Sequence, residues 1–158
     1  MKTVFYESRI AKLFTFIPNF KTIMLFGLVL TEHQFLSKTV LAHEKVHQRQ
    51  YQDCFGAGLA LAIITMFTLF AFGIQSLWML LLVLLPIFLY YIVYGTEYLI
   101  SFAYRSFKHK HLVMANDSAY CSSAMEMEAY DLQEEWRKPC KDRRIHHSFE
   151  WFKYYGVI

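Results

Sequence analysis

The stretch His43-Glu44-Lys45-Val46-His47 holds two histidines and a glutamate at a spacing that suits metal-assisted hydrolysis. Residues four apart lie on the same face of an α-helix, so His43 and His47 can direct two imidazoles at one metal ion. Glu44 directly follows the first histidine, where its carboxylate can accept a proton from a water molecule on that metal. The pattern therefore predicts a metal-binding helix with Glu44 as the catalytic base.

The residues around this motif favour a helix over 37–54. Ser37 is a suitable N-cap, and no Gly or Pro occurs between Lys38 and Cys54. The alternative interpretation is an amphipathic helix whose histidines are ordinary surface or core residues.

Two long uncharged segments follow the motif. Hydrophobic residues make up 56% of the 158 residues, which is too apolar for an ordinary soluble domain. Residues 55–74 carry no charge and are long enough to cross a bilayer core. A second apolar run, 77–100, is uncharged as far as Thr96 and contains Pro86, which a membrane span tolerates. We predict two transmembrane helices joined by a tight turn at Gln75-Ser76. The alternative is a buried helical hairpin, which a domain this small could hardly cover.

Basic residues lie on both sides of this hairpin, and its turn carries none. The positive-inside rule then predicts an integral membrane protein with both termini in the cytoplasm. The net charge of +3 fits a basic rim facing lipid headgroups, so the bilayer is an expected partner and nucleic acid is not. The three cysteines show no C-x-x-C spacing and are expected to be free thiols.

The first 36 residues are predicted to combine an interfacial segment with a short strand. The apolar run 23–30 is too short to span a membrane and favours a buried strand beside the metal helix. Aromatic residues precede it, with Pro18-Asn19 as a turn.

A third metal ligand is needed, because catalytic zinc usually has three protein ligands and one open position. Two antiparallel membrane helices return the chain to the side that it left, so the segment after residue 100 can supply this ligand. The candidates there are His109, His111, Glu126, Glu128, Glu134, Glu135, His146 and His147.

A helix is predicted over 118–137, with residues 116–118 as capping material. It contains Glu126 and Glu128, whose side chains point about 200° apart on a helix. Only one of them can therefore be a ligand, and the other is expected on an exposed face. Composition does not choose between them.

These motifs together resemble the gluzincin class of zinc metallopeptidases. More narrowly, the chain from about residue 20 onward resembles small bacterial membrane proteins, common in Bacteroidetes. Those proteins carry HExxHxxQ, Y-x-x-E-Y-L-I and F-E-R-E-A-Y motifs and an aromatic, basic tail. The matching segments here are 43–50, 94–100, 126–130 and the tail 138–158. A more distant likeness is to the integral-membrane CAAX-prenyl-protease type and the beta-lactam-sensor antirepressor type.

The resemblance implies one zinc ion per chain, held by His43, His47 and Glu126, with Glu128 as the alternate ligand. Tyr130 stands where the more distant relatives carry an aspartate, which often supports a histidine ligand.

Several residues are candidates for the supporting roles. Tyr130 itself or the adjacent Asp131 could replace the missing aspartate. A donor for the oxyanion of a tetrahedral intermediate could come from Tyr120, Tyr130, His109 or His146. Glu97, within the second apolar run, is either functional or snorkels to the interface, or pairs with Arg105.

The predicted fold is mainly α and integral to the membrane, as a single domain over 1–158. A transmembrane hairpin is flanked by the zincin-like HExxH helix and by a C-terminal helix with the third ligand. The predicted function is zinc-dependent hydrolysis of a peptide or protein substrate at or near the cytoplasmic membrane surface; the oligomeric state is left open.

Two other functions fit some of the same residues. A membrane di-iron oxygenase would use the scattered histidines, namely His43, His47, His109, His111, His146 and His147. A non-catalytic interaction or signalling protein would instead have a structural metal site, normally closed by four protein ligands.

Overall fold

The computed structural model describes residues 3–14, 21–108 and 112–156 and is mainly helical with a small N-terminal sheet. The first elements are β1 (Val4–Phe5), α1 (Arg9–Phe14), β2 (Thr22–Leu25) and β3 (Leu28–Thr31). The next are α2 (Lys38–Ala71), a 3-10 helix (Leu77–Leu84), α3 (Leu85–Lys108), α4 (Leu112–Cys121) and α5 (Ala124–Leu132). Short 3-10 segments follow at Glu135–Arg137, Cys140–Asp142, Arg144–His146 and Glu150–Gly156. The predicted turn at Pro18-Asn19 and the candidates His109 and His111 lie outside the described residues.

The chain divides into two compact units, and both α2 and α5 contribute residues to each. The first unit comprises Met1–Tyr51 and Glu128–Glu150, and the second comprises Gln52–Met127 and Trp151–Ile158.

The sheet belongs to the first unit and has the strand order β1-β3-β2, with β1 parallel and β2 antiparallel to β3. The run 23–30 therefore contains a hairpin, not the single strand that we predicted. Phe26 and Gly27 both adopt positive φ, 51° and 77°, which is the two-residue turn that matches strand twist. Gln48 on α2 donates to the Gly27 carbonyl at 2.8 Å, so the hairpin lies beside the metal helix as predicted.

Helix α2 is continuous over 34 residues and joins the predicted metal helix 37–54 to the predicted span 55–74. Ser37 caps it as expected, because its Oγ accepts from the Val40 N–H at 3.2 Å. The helix ends at Ala71, three residues earlier than predicted.

Gly73 explains that end. Its φ of 70° places it in the left-handed region that glycine adopts at little cost. The N–H groups of Gly73 and Ile74 then donate to the carbonyls of Phe70 and Leu69 at 2.9 and 3.0 Å, which is a Schellman cap.

Two helical segments, Lys38–Ala71 and Leu77–Phe107, are long and apolar enough to cross a membrane. The second begins as a 3-10 helix that Ser76 caps, and Pro86 lies in the first turn of α3, where a proline does not interrupt the hydrogen bonds of a helix. Large apolar side chains on both segments are exposed, including Phe67, Leu77 and Trp78.

At Gly58, helix α2 lies close to the start of α3. A Cβ at this position would lie 2.8 Å from the Pro86 Cα and 3.1 Å from the Leu85 carbonyl oxygen. Gly56, half a turn earlier, would meet nothing within 4 Å. The missing side chain at Gly58 is therefore what lets the two backbones approach.

We expect Gly58→Ala to lower the free energy of unfolding by roughly 1–3 kcal/mol, because backbone atoms must move to accept the methyl group. Gly56→Ala is the matched control and should be neutral or stabilising, since alanine favours a helix more than glycine does. Unfolding of both variants in detergent, followed by circular dichroism, measures the difference. Equal stability of the two variants would contradict this account of the contact.

The predicted helix over 118–137 is wrong in its bounds. Residues 116–118 do not cap it but lie inside α4, where Asn116 accepts from Tyr98 and Ser118 accepts from Arg105 of α3, at 2.5 and 2.7 Å. The helix that carries Glu126 is α5, which begins at Ala124 and ends at Leu132.

Candidate metal centre

His43 and His47 lie one turn apart on α2, as their spacing predicts. Their Nε2 atoms are 3.1 Å apart, and the rings meet edge to face. His47 is buried and His43 is half-buried. Glu44 is also half-buried and lies beside His43 on the same turn. The first part of the site therefore follows from local helix geometry.

Glu126 is buried in the first turn of α5, with 1% of its surface exposed. Ser123 caps this helix, because its Oγ accepts from the Glu126 N–H at 3.2 Å. Tyr94 of α3 donates its hydroxyl to Glu126 Oε1 at 2.8 Å. Two contacts therefore position Glu126, one through its backbone and one through its carboxylate.

The imidazoles of His43 and His47 and the carboxylate of Glu126 form a group that could hold a metal ion. One donor atom from each residue lies within 4.8 Å of the donors of the other two. Two imidazole nitrogens on one tetrahedral zinc would be about 3.3 Å apart, close to the observed 3.1 Å. Two histidines and a glutamate are also a common donor set for catalytic zinc. The donor types and the spacing of the two imidazoles therefore suit a zinc ion.

We predicted that one of the two glutamates would lie on an exposed face. This prediction is wrong, because Glu126 and Glu128 are both buried. Glu128 is fully buried and pairs with Arg49 at 2.5 Å, and Gln50 donates to its Oε2 at 2.7 Å. The alternate ligand is therefore bound to two side chains of α2, whereas Glu126 joins the histidines.

Gln50 is a residue of the site that the sequence reasoning missed. It is fully buried, and its Oε1 lies 2.8 Å from Nδ1 of His47. The signal was available, because a residue three positions after a helical ligand lies on the same face as that ligand.

The two residues predicted to replace the missing aspartate, Tyr130 and Asp131, make different contacts. Tyr130 places its ring 4.9 Å from that of His43, centre to centre. Asp131 pairs with Arg144 at 3.0 Å. The described hydrogen-bond partner of His47 Nδ1 is Gln50.

The other candidates lie in other elements. Tyr120 is half-buried in the last turn of α4, and His146 is exposed in a C-terminal 3-10 turn. His147 is exposed and lies 3.2 Å from Glu150. Among the described residues, these two histidines are not part of the group that could hold a metal.

Glu97 does not pair with Arg105. It accepts a hydrogen bond from the Tyr155 hydroxyl, and the Met125 N–H at the start of α5 lies 3.5 Å from its carboxylate. Arg105 instead donates to Ser101 and Ser118. Burial and the bond to Glu97 raise the pKa of Tyr155, so its hydroxyl stays protonated and can donate. Glu97 thus contacts the helix that carries Glu126.

A second ionic cluster belongs to the first unit and surrounds Glu135. Burial alone would raise the pKa of this carboxyl, but hydrogen bonds from Lys138 and Arg144 outweigh burial and lower it. The bond to Glu135 correspondingly raises the pKa of the Arg144 guanidinium. Arg144 also bonds to Asp131, so the cluster fixes the 3-10 segments beside α5.

Comparison with known proteins adds no assignment. No family model matches the chain, and neither the curated proteins nor the solved structures contain a match to it. The function is therefore inferred from the residues themselves.

Proposed function

We propose that this protein is a zinc-dependent metallopeptidase of the gluzincin type, carried by two membrane-spanning helices. The observation that supports this most is the group of His43, His47 and Glu126, which combines an HExxH helix with a buried glutamate from a distant segment. Local sequence can produce an HExxH pattern by chance, but the buried third donor requires the tertiary fold.

The donor set also favours an open site over a structural one. Structural zinc is normally closed by four protein ligands, whereas catalytic zinc has three. Among the described residues, three donors form the group. A bound zinc ion would supply Lewis acidity, which lowers the pKa of water and polarises a scissile carbonyl.

The protein's own residues would carry out the proton transfers. Glu44 would accept a proton from the attacking water and deliver it to the leaving amine. Tyr130 is the proposed oxyanion donor with a described contact to a histidine, because its ring lies 4.9 Å from that of His43.

The membrane location is supported by the surface of the two long helices. Apolar side chains are exposed from Phe55 onward in the first segment and along the second, where contact with lipid would remove them from water. Basic residues on both sides of the hairpin favour cytoplasmic termini. Substrates would then be peptides or proteins at or near the cytoplasmic membrane surface.

Metal analysis tests the proposal. We expect about one zinc per chain in detergent-purified wild type, measured by elemental mass spectrometry. His43→Ala and Glu126→Ala should each lose the zinc, because each removes one of three donors. His146→Ala is the control and should keep it, since His146 is exposed and outside the group.

The other outcomes separate the alternatives. About two iron ions per chain, lost in His146→Ala, would favour the di-iron oxygenase. Zinc that survives His43→Ala and Glu126→Ala would place the metal elsewhere. Wild type that contains no metal and binds none on addition would contradict both enzymes and leave a membrane interaction protein.

A further inference from the structure

A buried network of polar side chains begins at Nδ1 of His47. All of its residues belong to the first unit. His47 Nδ1 lies 2.8 Å from Gln50 Oε1, Gln50 Nε2 donates to Glu128 Oε2 at 2.7 Å, and Arg49 pairs with Glu128 at 2.5 Å. Gln50 and Glu128 are fully buried and Arg49 is 9% exposed. Four polar side chains therefore lie in sequence in a region that largely excludes water.

The direction of each hydrogen bond in this chain follows from its charged end. Arg49 carries only donors, and the carboxylate of Glu128 only accepts, so Gln50 must present its amide N–H to Glu128. The Gln50 oxygen then faces His47 and requires a proton on Nδ1. A neutral imidazole with its proton on Nδ1 has a bare lone pair on Nε2. That atom is the one that faces His43 Nε2 at 3.1 Å.

We infer that Gln50, held by the Glu128–Arg49 ion pair, is a positioning residue that fixes His47 in the tautomer and orientation of a metal ligand. The inference rests on the proposed zinc site, and it adds a role for residues that do not touch the metal. A histidine ligand commonly donates its second N–H to an acceptor, which fixes the ring and increases its basicity. Here the acceptor is an amide whose orientation a buried ion pair determines.

The same two helices supply both the ligands and their support. Gln50 follows His47 by three residues on α2, and Glu128 follows Glu126 by two on α5. Arg49 also donates to the carbonyls of Arg144 and Ile145, at 3.4 and 3.3 Å, so its guanidinium is held from a second side. The hydrogen-bonded network therefore ends at the fixed positive charge of Arg49, which determines the orientation of the Gln50 amide.

Gln50→Leu tests the inference, because it keeps the volume and removes the acceptor. We expect zinc affinity, measured by competition with a chromogenic chelator on the full chain in detergent, to fall roughly 10–100-fold. The absorption spectrum of the Co²⁺-loaded protein should also change, because His47 is free to rotate. A purely structural role for Gln50 would lower stability without moving either readout.

Gln48→Leu is the matched control. Gln48 is on the same helix and also makes a tertiary amide hydrogen bond, to the Gly27 carbonyl at 2.8 Å, but its partner is the hairpin. This variant should lose a similar hydrogen bond and keep both the zinc affinity and the Co²⁺ spectrum of wild type.

The double variant Gln50→Glu/Glu128→Gln exchanges the two groups at constant charge. A carboxylate at position 50 still accepts from His47 Nδ1–H, and an amide at position 128 can donate to it while accepting from Arg49. We expect this variant to bind zinc at least as tightly as wild type. If Gln50→Leu does not fold, the zinc affinity of this double variant still tests the positioning role of Gln50.

Three results would overturn one claim or the other. Wild-type affinity and spectrum in Gln50→Leu would refute the positioning role alone. So would a loss of zinc affinity of about tenfold or more in a folded exchange variant, since all of its donors and acceptors are matched. Failure of wild type itself to bind Zn²⁺ or Co²⁺ would refute the metal site, and with it the proposed function.

Discussion

Glu44→Gln is expected to abolish most peptide hydrolysis while leaving the metal in place. Glutamine has nearly the same shape as glutamate but cannot accept a proton, so the loss isolates the general base. General base catalysis typically contributes about 10²–10⁴-fold to a rate, and we expect the rate of hydrolysis to fall by that factor. The three donors of the metal group are unchanged in this variant, so its zinc content should equal that of wild type.

The measurement uses zinc-loaded protein in detergent, fluorescein-labelled casein as the probe, and mass spectrometry of the released peptides. Lys45→Gln is the control, because Lys45 is exposed on the same turn and should tolerate the change. If E44Q contains zinc and cleaves as fast as wild type, Glu44 is not the base. If zinc-loaded wild type leaves casein intact, the non-catalytic alternative with a metal site gains support.

The helix that bears the histidines is the part of the site that local rules could predict. Its cap at Ser37 and the spacing of His43 and His47 depend only on neighbouring residues and on the helical period. The fusion of this helix with the first apolar segment was not predicted, because the change from a mixed to an apolar composition suggested a boundary. A change in environment does not require a break in the backbone hydrogen bonds.

The bounds of α5 were predictable in part. Ser123 and Glu126 form an S-x-x-E pattern, which is a helix-start signal, but residues 116–118 offered a competing one. The structure places those residues inside α4, where the side chains of Asn116 and Ser118 bond to α3. Propensity favours caps for such residues, and tertiary hydrogen bonds override that preference.

Helical periodicity could not decide whether Glu126 or Glu128 is the third metal ligand. The period says that they point in different directions, but not which direction meets the histidines. That depends on the packing of α5, whose Ala129 and Leu132 lie in one cluster with Val46 of α2. The prediction that the other glutamate would be exposed failed for the same reason, because Arg49 and Gln50 supply a buried partner for it.

Arg49→Met is expected to destabilise the first unit strongly, even in protein that has been stripped of metal. Arg49 and Glu128 have side chains that are 10% and 0% exposed, so removing the cation leaves a carboxylate without its counter-ion in a buried position. Breaking a buried ion pair from one side costs about 3–5 kcal/mol, because the remaining charge has lost its access to water. Burial, and not the bare presence of an ion pair, sets this magnitude.

Arg137→Met is the matched control for burial. Arg137 also pairs with a glutamate, Glu134, at 3.0 Å, but the two side chains are 68% and 48% exposed. An exposed pair of this kind contributes about 0–1 kcal/mol. Unfolding of chelator-treated protein in detergent should therefore separate the two variants by several kcal/mol, and a similar small loss in both would mean that Glu128 is hydrated without Arg49.

The double variant Arg49→Met/Glu128→Met separates the charge from the packing. Replacing both members of a buried pair with apolar residues is often neutral or stabilising, so most of the stability lost in Arg49→Met should return. Zinc affinity should not return with it, because Gln50 would no longer have a carboxylate to orient its amide. A variant that folds as well as wild type but binds zinc more weakly would show that this ion pair acts mainly on the metal site, whereas recovery of both would assign it a structural role alone.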